Sequence, residues 1–411
     1  MARRWNRRFA TCAVALACMA VVATAATTTH GSAAAATTGQ AISTPSAADF
    51  WLATPAGSTF AFGTTAFGSL PGPLNQPIVT AQAAGNGQGL WLVASDGGIF
   101  SFGDAHFYGS TGNLLLNKPI VGMAPTPDQD GYWLVASDGG VFSFGDASFY
   151  GSTGALVLNR PVVGMAPTPD GKGYWLVASD GGVFSFGDAS FHGSAGNLTL
   201  QQPVISMAAT PDGKGYWLVA SDGGVFAFGD ATFYGSAAGT SGDPEQRLVS
   251  SPRGSGYWIV RQNGDAVPYG DASSYQVPTQ ALLFKPATPG DKAVLFAFQQ
   301  LGKPYIFGGN GPVGYDCSGL ALASWSQGAG VEFARVADDQ YNTAGVAVSL
   351  DSLQAGDLVF WGTSQTDWTS VYHTAIYVGG DKIVEATGDQ VQLNQLGQWG
   401  SGDLMPNGRR P

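Results

Sequence analysis

Three residues decide what chemistry this chain can do: a cysteine at a helix start, one downstream histidine and a carboxylate that can face it. The cysteine lies in Tyr315-Asp316-Cys317-Ser318-Gly319-Leu320, after a glycine-rich run holding Gly308, Gly309 and Gly311. With Asp316 as the cap of a helix that Cys317 enters in its first turn, unpaired backbone amides and the helix dipole both favour a thiolate. Such settings lower a thiol from its ordinary value near ~8.5. The other cysteines, Cys12 and Cys18, fall in a stretch that reads as a removable leader, which leaves Cys317 alone in the mature chain. A lone thiol closes no intramolecular disulfide. Cys317 is then either a packed small hydrophobe or a nucleophile, and the residues around it favour the nucleophile. Thiol nucleophiles need an imidazole, and His373 is the only histidine after residue 192.

The elements that must position these groups can be placed from pattern. A helix is expected from Asp291 as its cap, with Ala293, Val294, Phe296, Ala297 and Leu301 on its apolar side and Gly302 and Pro304 ending it. A second follows Asp316, with Leu320, Leu322, Ala323 and Trp325 inward. Residues 353–361 read as a turn into a buried strand, and 373–378 and 382–386 as two alternating strands joined at Gly379-Gly380. If Tyr377 pairs with Asp381 across a three-residue loop, Glu385 falls directly opposite His373, with Cβ atoms about 4.5 to 5.5 Å apart. The carboxylate then accepts from one ring nitrogen while the other faces the thiol. A two-residue loop shifts each partner by one and turns Glu385 to the other face, so the loop decides.

Upstream, the chain is a different kind of object. Its first residues carry Arg3, Arg4, Arg7 and Arg8, then an uncharged apolar run from Phe9 through Ala26 with small residues at Ala23-Thr24-Ala25. This reads as a secretory signal peptide over 1–25, with Arg7-Arg8 leaving a twin-arginine route open, followed by a low-complexity linker over 26–40. A retained anchor is the alternative, but an alanine-rich run anchors poorly. Loss of the leader's four arginines takes the net charge from −11 to −15, which argues against nucleic-acid binding. Residues 41–275 hold a repeat, YWLVASDGGVFSFGDASFYGS, whose tryptophan recurs at Trp51, Trp91, Trp133, Trp175, Trp217 and Trp258. Six units with four strands each are expected, among them 162–168, 174–179, 183–186 and a short one at Phe191, with Asp-Gly and Gly-Gly hairpin turns. That unit is the size of a propeller blade, with a linear β-solenoid as the alternative. Recurring aromatics such as Trp133, Phe142 and Tyr150 read as packing between units, and Asp138 and Asp146 as turn residues rather than a calcium ring. His106 and His192 stand outside any recurring site. Residues 276–290 carry several prolines and read as an interdomain linker, leaving a second domain over 291–411.

That second domain resembles the NlpC-type cell-wall cysteine peptidases, a papain-like α+β superfamily. The likeness rests on Lys303-Pro304-Tyr305-Ile306-Phe307-Gly308-Gly309, on the Asp316 to Leu320 box, on 353–361 and on 373–379, in the family's order. The resemblance implies Cys317 as nucleophile, His373 as base and then acid, Glu385 as its orienter, and Tyr305 with the Cys317 amide around the oxyanion. It implies that Asp316, Ser318 and Arg335 line the substrate pocket. Glutamate stands at 385 where histidine, asparagine or glutamine is commoner in the family. The implied substrate is the peptide stem of peptidoglycan, cut between γ-D-glutamyl and a diamino acid, with no cofactor and no metal. The repeat array would then bind wall glycan or a protein partner, or gate the cleft. Two other readings are a wall-binding scaffold with an inert peptidase fold, and amidase or acyl-transfer chemistry on that fold. The overall expectation is a multidomain chain, an all-β propeller-like array followed by a papain-like domain, exported to the wall without a stable membrane anchor.

Overall fold

The computed structural model describes residues 50–62, 64–239, 245–273, 278–398 and 402–411, with the side chains of 245 and 246 left aside. The expected leader, the 26–40 linker and the first residues of the repeat array lie outside the described residues. Among the described residues no helix is long and apolar enough to cross a membrane.

Among the described residues the repeats fold as six three-stranded sheets. Five are antiparallel meanders, for example Val162–Pro167, Gly173–Ala178 and Val183–Gly187. The middle strand carries the tryptophan and is buried along its whole length, because neighbouring sheets cover both of its faces. A tryptophan removes roughly 200 Å² from water. At about 25 cal/mol per Å² that is on the order of 5 kcal/mol for each, before conformational entropy is subtracted. The turns behave as read: Asp138 Oδ1 accepts from the Gly140 amide at 2.9 Å, and Asp180 repeats this toward Gly182 at 3.0 Å.

The expected fourth strand is absent from the described residues. The segment around Phe191 is irregular, and Phe191 is 60% exposed. Side chains hold this segment where a strand ladder was expected. The indole of Trp175 donates to the Ser190 carbonyl, 15 residues on, at 2.7 Å. From the following unit, the Tyr216 hydroxyl donates to the Gly193 carbonyl at 2.6 Å. The same pair of bonds recurs with Trp133 on Ser148 and Tyr174 on Gly151. His192 takes the place of Tyr150: its Nε2 meets the Gly213 carbonyl at 3.2 Å, where the Tyr150 hydroxyl meets Gly171 at 3.0 Å. The second to the sixth units are thus clasped each onto the next, through Tyr132, Tyr174, Tyr216 and Tyr257.

The 276–290 reading as a linker is corrected in part. Gln280–Leu283 is a strand, paired in parallel with Phe50–Ala53, and it completes the first sheet. Prolines at 278 and 286 flank this stretch and disguised four buried residues as a spacer. Apolar clusters pass from sheet to sheet around the array, and the last joins Trp258 and Val260 of the sixth sheet to Phe50 and Leu52 of the first. The six sheets therefore close into a propeller-like ring.

The remaining chain packs on that ring. Helix α1, Pro289–Phe298, starts one turn earlier than expected: Thr288 is its cap and Asp291 returns the bond in a capping box. Its Phe298 ring lies 5.2 Å from Phe62 of the first sheet and 6.2 Å from Phe284. Helix α2, Cys317–Ala329, is capped by Asp316 as expected and ends on left-handed Gly330. After the short α3, Ala337–Thr343, a six-stranded antiparallel sheet runs in the order 346–349, 407–410, 358–362, 371–379, 382–387, 390–395. Leu358–Gly362 is fully buried.

Candidate active site

Helix α2 presents Cys317 from its first turn because its start is tied down from several sides. Asp316 Oδ1 accepts from the Gly319 amide at 2.6 Å, and its Oδ2 accepts from the Gly308 amide at 2.9 Å. Gly319 is required by the close approach of the preceding loop, since a Cβ there would sit 2.0 Å from the Gly309 carbonyl oxygen. Arg335 completes the anchor. Its Nη2 donates to Asp316 Oδ2 at 2.8 Å and to the Gly309 carbonyl at 3.1 Å, and its Nη1 to Ser318 Oγ at 2.9 Å. Gln340 of α3 adds a bond to the Ser318 carbonyl at 2.9 Å. Asp316 and Ser318 are buried, so the three residues expected at the substrate pocket form one network beneath the thiol.

His373 lies on the strand Val371–Gly379, packed against Trp361 with ring centroids 5.4 Å apart. It hydrogen-bonds the Cys317 thiol, and its Nε2 meets Glu385 Oε2. With Nε2 so engaged, Nδ1 is the nitrogen left for the sulfur. The hairpin that brings Glu385 here is not the one expected. Its loop has two residues, Gly380 and Asp381, between the paired Gly379 and Lys382. Such a loop alone would turn Glu385 away. A register shift at Val378 restores the parity, since Tyr377 pairs with Ile383 and Ile376 with Val384. Carried one step further, Glu385 falls opposite Ala375, diagonal to His373 rather than across from it. The diagonal still lies within reach of long side chains.

Glu385 is fully buried, and a buried carboxylate needs its remaining lone pairs filled. Asn394 Nδ2 donates to its Oε1 at 2.7 Å and Gln398 Nε2 at 2.9 Å. Neither residue was expected from the sequence. The signal lay in the polar run of the neighbouring strand Gln390–Gln395, which pairs beside Glu385.

The electrostatics follow from this geometry. Burial works against an imidazolium at His373, but hydrogen bonds to Cys317 and Glu385, with their charges, outweigh it and push its pKa up to about 9. Burial likewise works against a thiolate at Cys317. The bond to His373, its positive charge and the Thr374 amide overcome that and lower the thiol, with Asp316 in weak opposition. Tyr305 stands close by: burial raises its pKa first, and the charges of Cys317 and Asp316 raise it further. A lowered thiol beside a raised imidazole can hold the ion-paired form, which attacks carbonyl carbon and carries a proton for the leaving group. Among the described residues no group of His, Cys, Asp and Glu gathers to hold a metal ion.

Residues 302–404 match the model of the NlpC/P60 family. Over 104 residues the chain is 34% identical to murein DD-endopeptidase MepH of Escherichia coli (strain K12), which covers 24% of this chain and 38% of that protein. Over 98 residues it is 37% identical to a gamma-D-glutamyl-L-lysine dipeptidyl-peptidase of Bacillus subtilis (strain 168), covering 23% of this chain and 32% of that one. The solved NlpC/p60 domain of the peptidoglycan hydrolase SagA is 30% identical, covering 30% of this chain and 98% of that one with a TM-score of 0.26. The chain thus spans well under half the length of either curated relative. Residues 302–404 of this chain form an NlpC/P60 domain.

Proposed function

We propose that the chain is a secreted peptidoglycan hydrolase that cuts an amide in the wall's peptide stem through Cys317, His373 and Glu385. The observation that carries this reading is the continuous hydrogen-bonded relay from thiol to imidazole to buried carboxylate at the start of α2. The thiolate of Cys317 adds to the amide carbonyl, and the oxyanion is held by the Cys317 backbone amide and the Tyr305 hydroxyl. His373 gives its proton to the departing amine as the C–N bond breaks, leaving a thioester. Neutral His373 then takes a proton from water, whose oxygen attacks the thioester, releasing the carboxylic acid and restoring the Cys317 thiolate beside the imidazolium. Glu385 holds the ring in place and favours its charged form throughout.

The bond assigned is γ-D-glutamyl to diamino acid, in keeping with the family resemblance and with the name of the Bacillus relative. The Escherichia relative carries the name of a DD-endopeptidase, so fragment identity separates the two. The ring binds wall material or a partner, or gates access to the cleft. Export by the leader would bring enzyme and wall together. The test is digestion of purified wall by the full chain, with mass spectrometry of the released fragments. Stems cut after γ-D-glutamyl, absent with Cys317→Ala, are the expected result; equal cleavage by the alanine variant would remove the thiol from the reaction.

A further inference from the structure

The inner strands of the ring enclose a channel of about 720 Å³, a volume typical of small-molecule sites. At one position of the inner strand, the one paired with a valine of the middle strand (Val93, Val135, Val177, Val219), successive units carry Thr80, Gly122, Gly164 and Ser206. These small residues keep the channel open. The sixth unit breaks the pattern with Arg247. Its Nη2 donates to the Ala81 carbonyl of the second sheet at 2.9 Å, and among the described residues no carboxylate pairs with it. Burial pushes its pKa down to about 10. Gln262, 6% exposed, lines the same channel, and its Nε2 has no partner among the described residues. A buried donor left without an acceptor is costly, and here the Gln262 amide lines the same cavity as a guanidinium that has no carboxylate partner among the described residues. Met123, Met165 and Met207 supply an apolar wall.

We propose that this channel binds an organic carboxylate, with the carboxylate on the Arg247 fork and the Gln262 amide and the apolar body of the ligand against the methionines. A guanidinium fork matches a carboxylate through two parallel bonds. Arg247 lies inside the channel and the exposed Lys285 also lines it, and a chain of net charge −11 favours a monoanion over a multiply charged phosphate. The site deepens, and rests on, the reading of the ring as a binding module, and is independent of the Cys317 chemistry.

Calorimetric titration of the full-length Cys317→Ala protein tests it, with N-acetyl-D-alanyl-D-alanine, its C-terminal amide, hexanoate and inorganic phosphate as probes. At least one carboxylate should bind, with the amide and phosphate weaker by about tenfold or more, the scale of a lost charge-assisted bond. Binding of the dipeptide alone points to a peptide terminus as source; binding of hexanoate points to a free acid. Arg247→Met in the same background should lose the carboxylate by a similar factor, while its melting temperature falls by no more than the lost bond to the Ala81 carbonyl accounts for. Gln262→Leu should weaken binding several-fold and serves if Arg247→Met does not fold. No carboxylate binding, or binding indifferent to both substitutions, overturns the proposal. Sedimentation with intact wall, run alongside, tells the two ideas apart: retained wall binding without carboxylate binding sinks the channel site and leaves the ring's binding role standing.

Discussion

Replacing Glu385 by glutamine keeps the shape of the side chain and removes its charge. In the native protein the buried carboxylate accepts from His373 Nε2 and from the amides of Asn394 and Gln398. A hydrogen bond to a charged partner contributes roughly 1.5 to 3 kcal/mol, and 1.36 kcal/mol corresponds to about one pKa unit. Glu385→Gln should therefore bring His373 down from about 9 by about one to two units. The alkaline limb of the kcat/KM profile, which reports loss of the imidazolium, should move down by the same amount. The acid limb, set by Cys317, should move up as its positive partner weakens, so the active window narrows from both sides. Hydrolysis of a stem peptide followed across about pH 5 to 10 reads both limbs at once. Part of the activity should survive near neutrality, because the ring can still donate to the glutamine oxygen. An unchanged alkaline limb would refute the idea that this carboxylate governs the imidazole.

Other outcomes follow from neighbouring contacts. Tyr305→Phe should lower kcat by about a hundredfold with little change in KM, as loss of one oxyanion donor does; a full kcat would dismiss the hydroxyl from that role. Tyr174→Phe removes the clasp on Gly151, a 2.6 Å bond. It should cost about 1 to 2 kcal/mol, lowering the ring's melting temperature by several degrees in a thermal scan; no shift would mean that packing alone joins the units.

Much of this arrangement was legible from residue type and spacing. The repeating tryptophan gave the number of sheets, because a residue that large at a fixed spacing has to be buried the same way each time. Cys317, His373 and Glu385 could be named because each is the sole or best-placed residue of its kind in the second domain. What escaped depended on partners far along the chain. The strand Gln280–Leu283 looks like a spacer until Phe50–Ala53 is beside it. The irregular stretch at Phe191 has strand-like residues, but an indole and a tyrosine from elsewhere hold it. The register shift at Val378 carries no turn signature, and it alone decides which way Glu385 points. Asn394 and Gln398 read as ordinary polar residues because nothing local reveals the buried charge they serve.

The thiolate itself is the most direct thing to measure. Alkylation of Cys317 by iodoacetamide, followed by mass spectrometry of its peptide as a function of pH, reports the ionised fraction of the sulfur. With His373 raised to about 9 and the thiol lowered, reaction should rise at a lower pH than it does for an ordinary thiol near ~8.5, and should fall back to that behaviour in His373→Ala. A native Cys317 that titrates like that ordinary thiol, unaffected by loss of the imidazole, would contradict an activated ion pair.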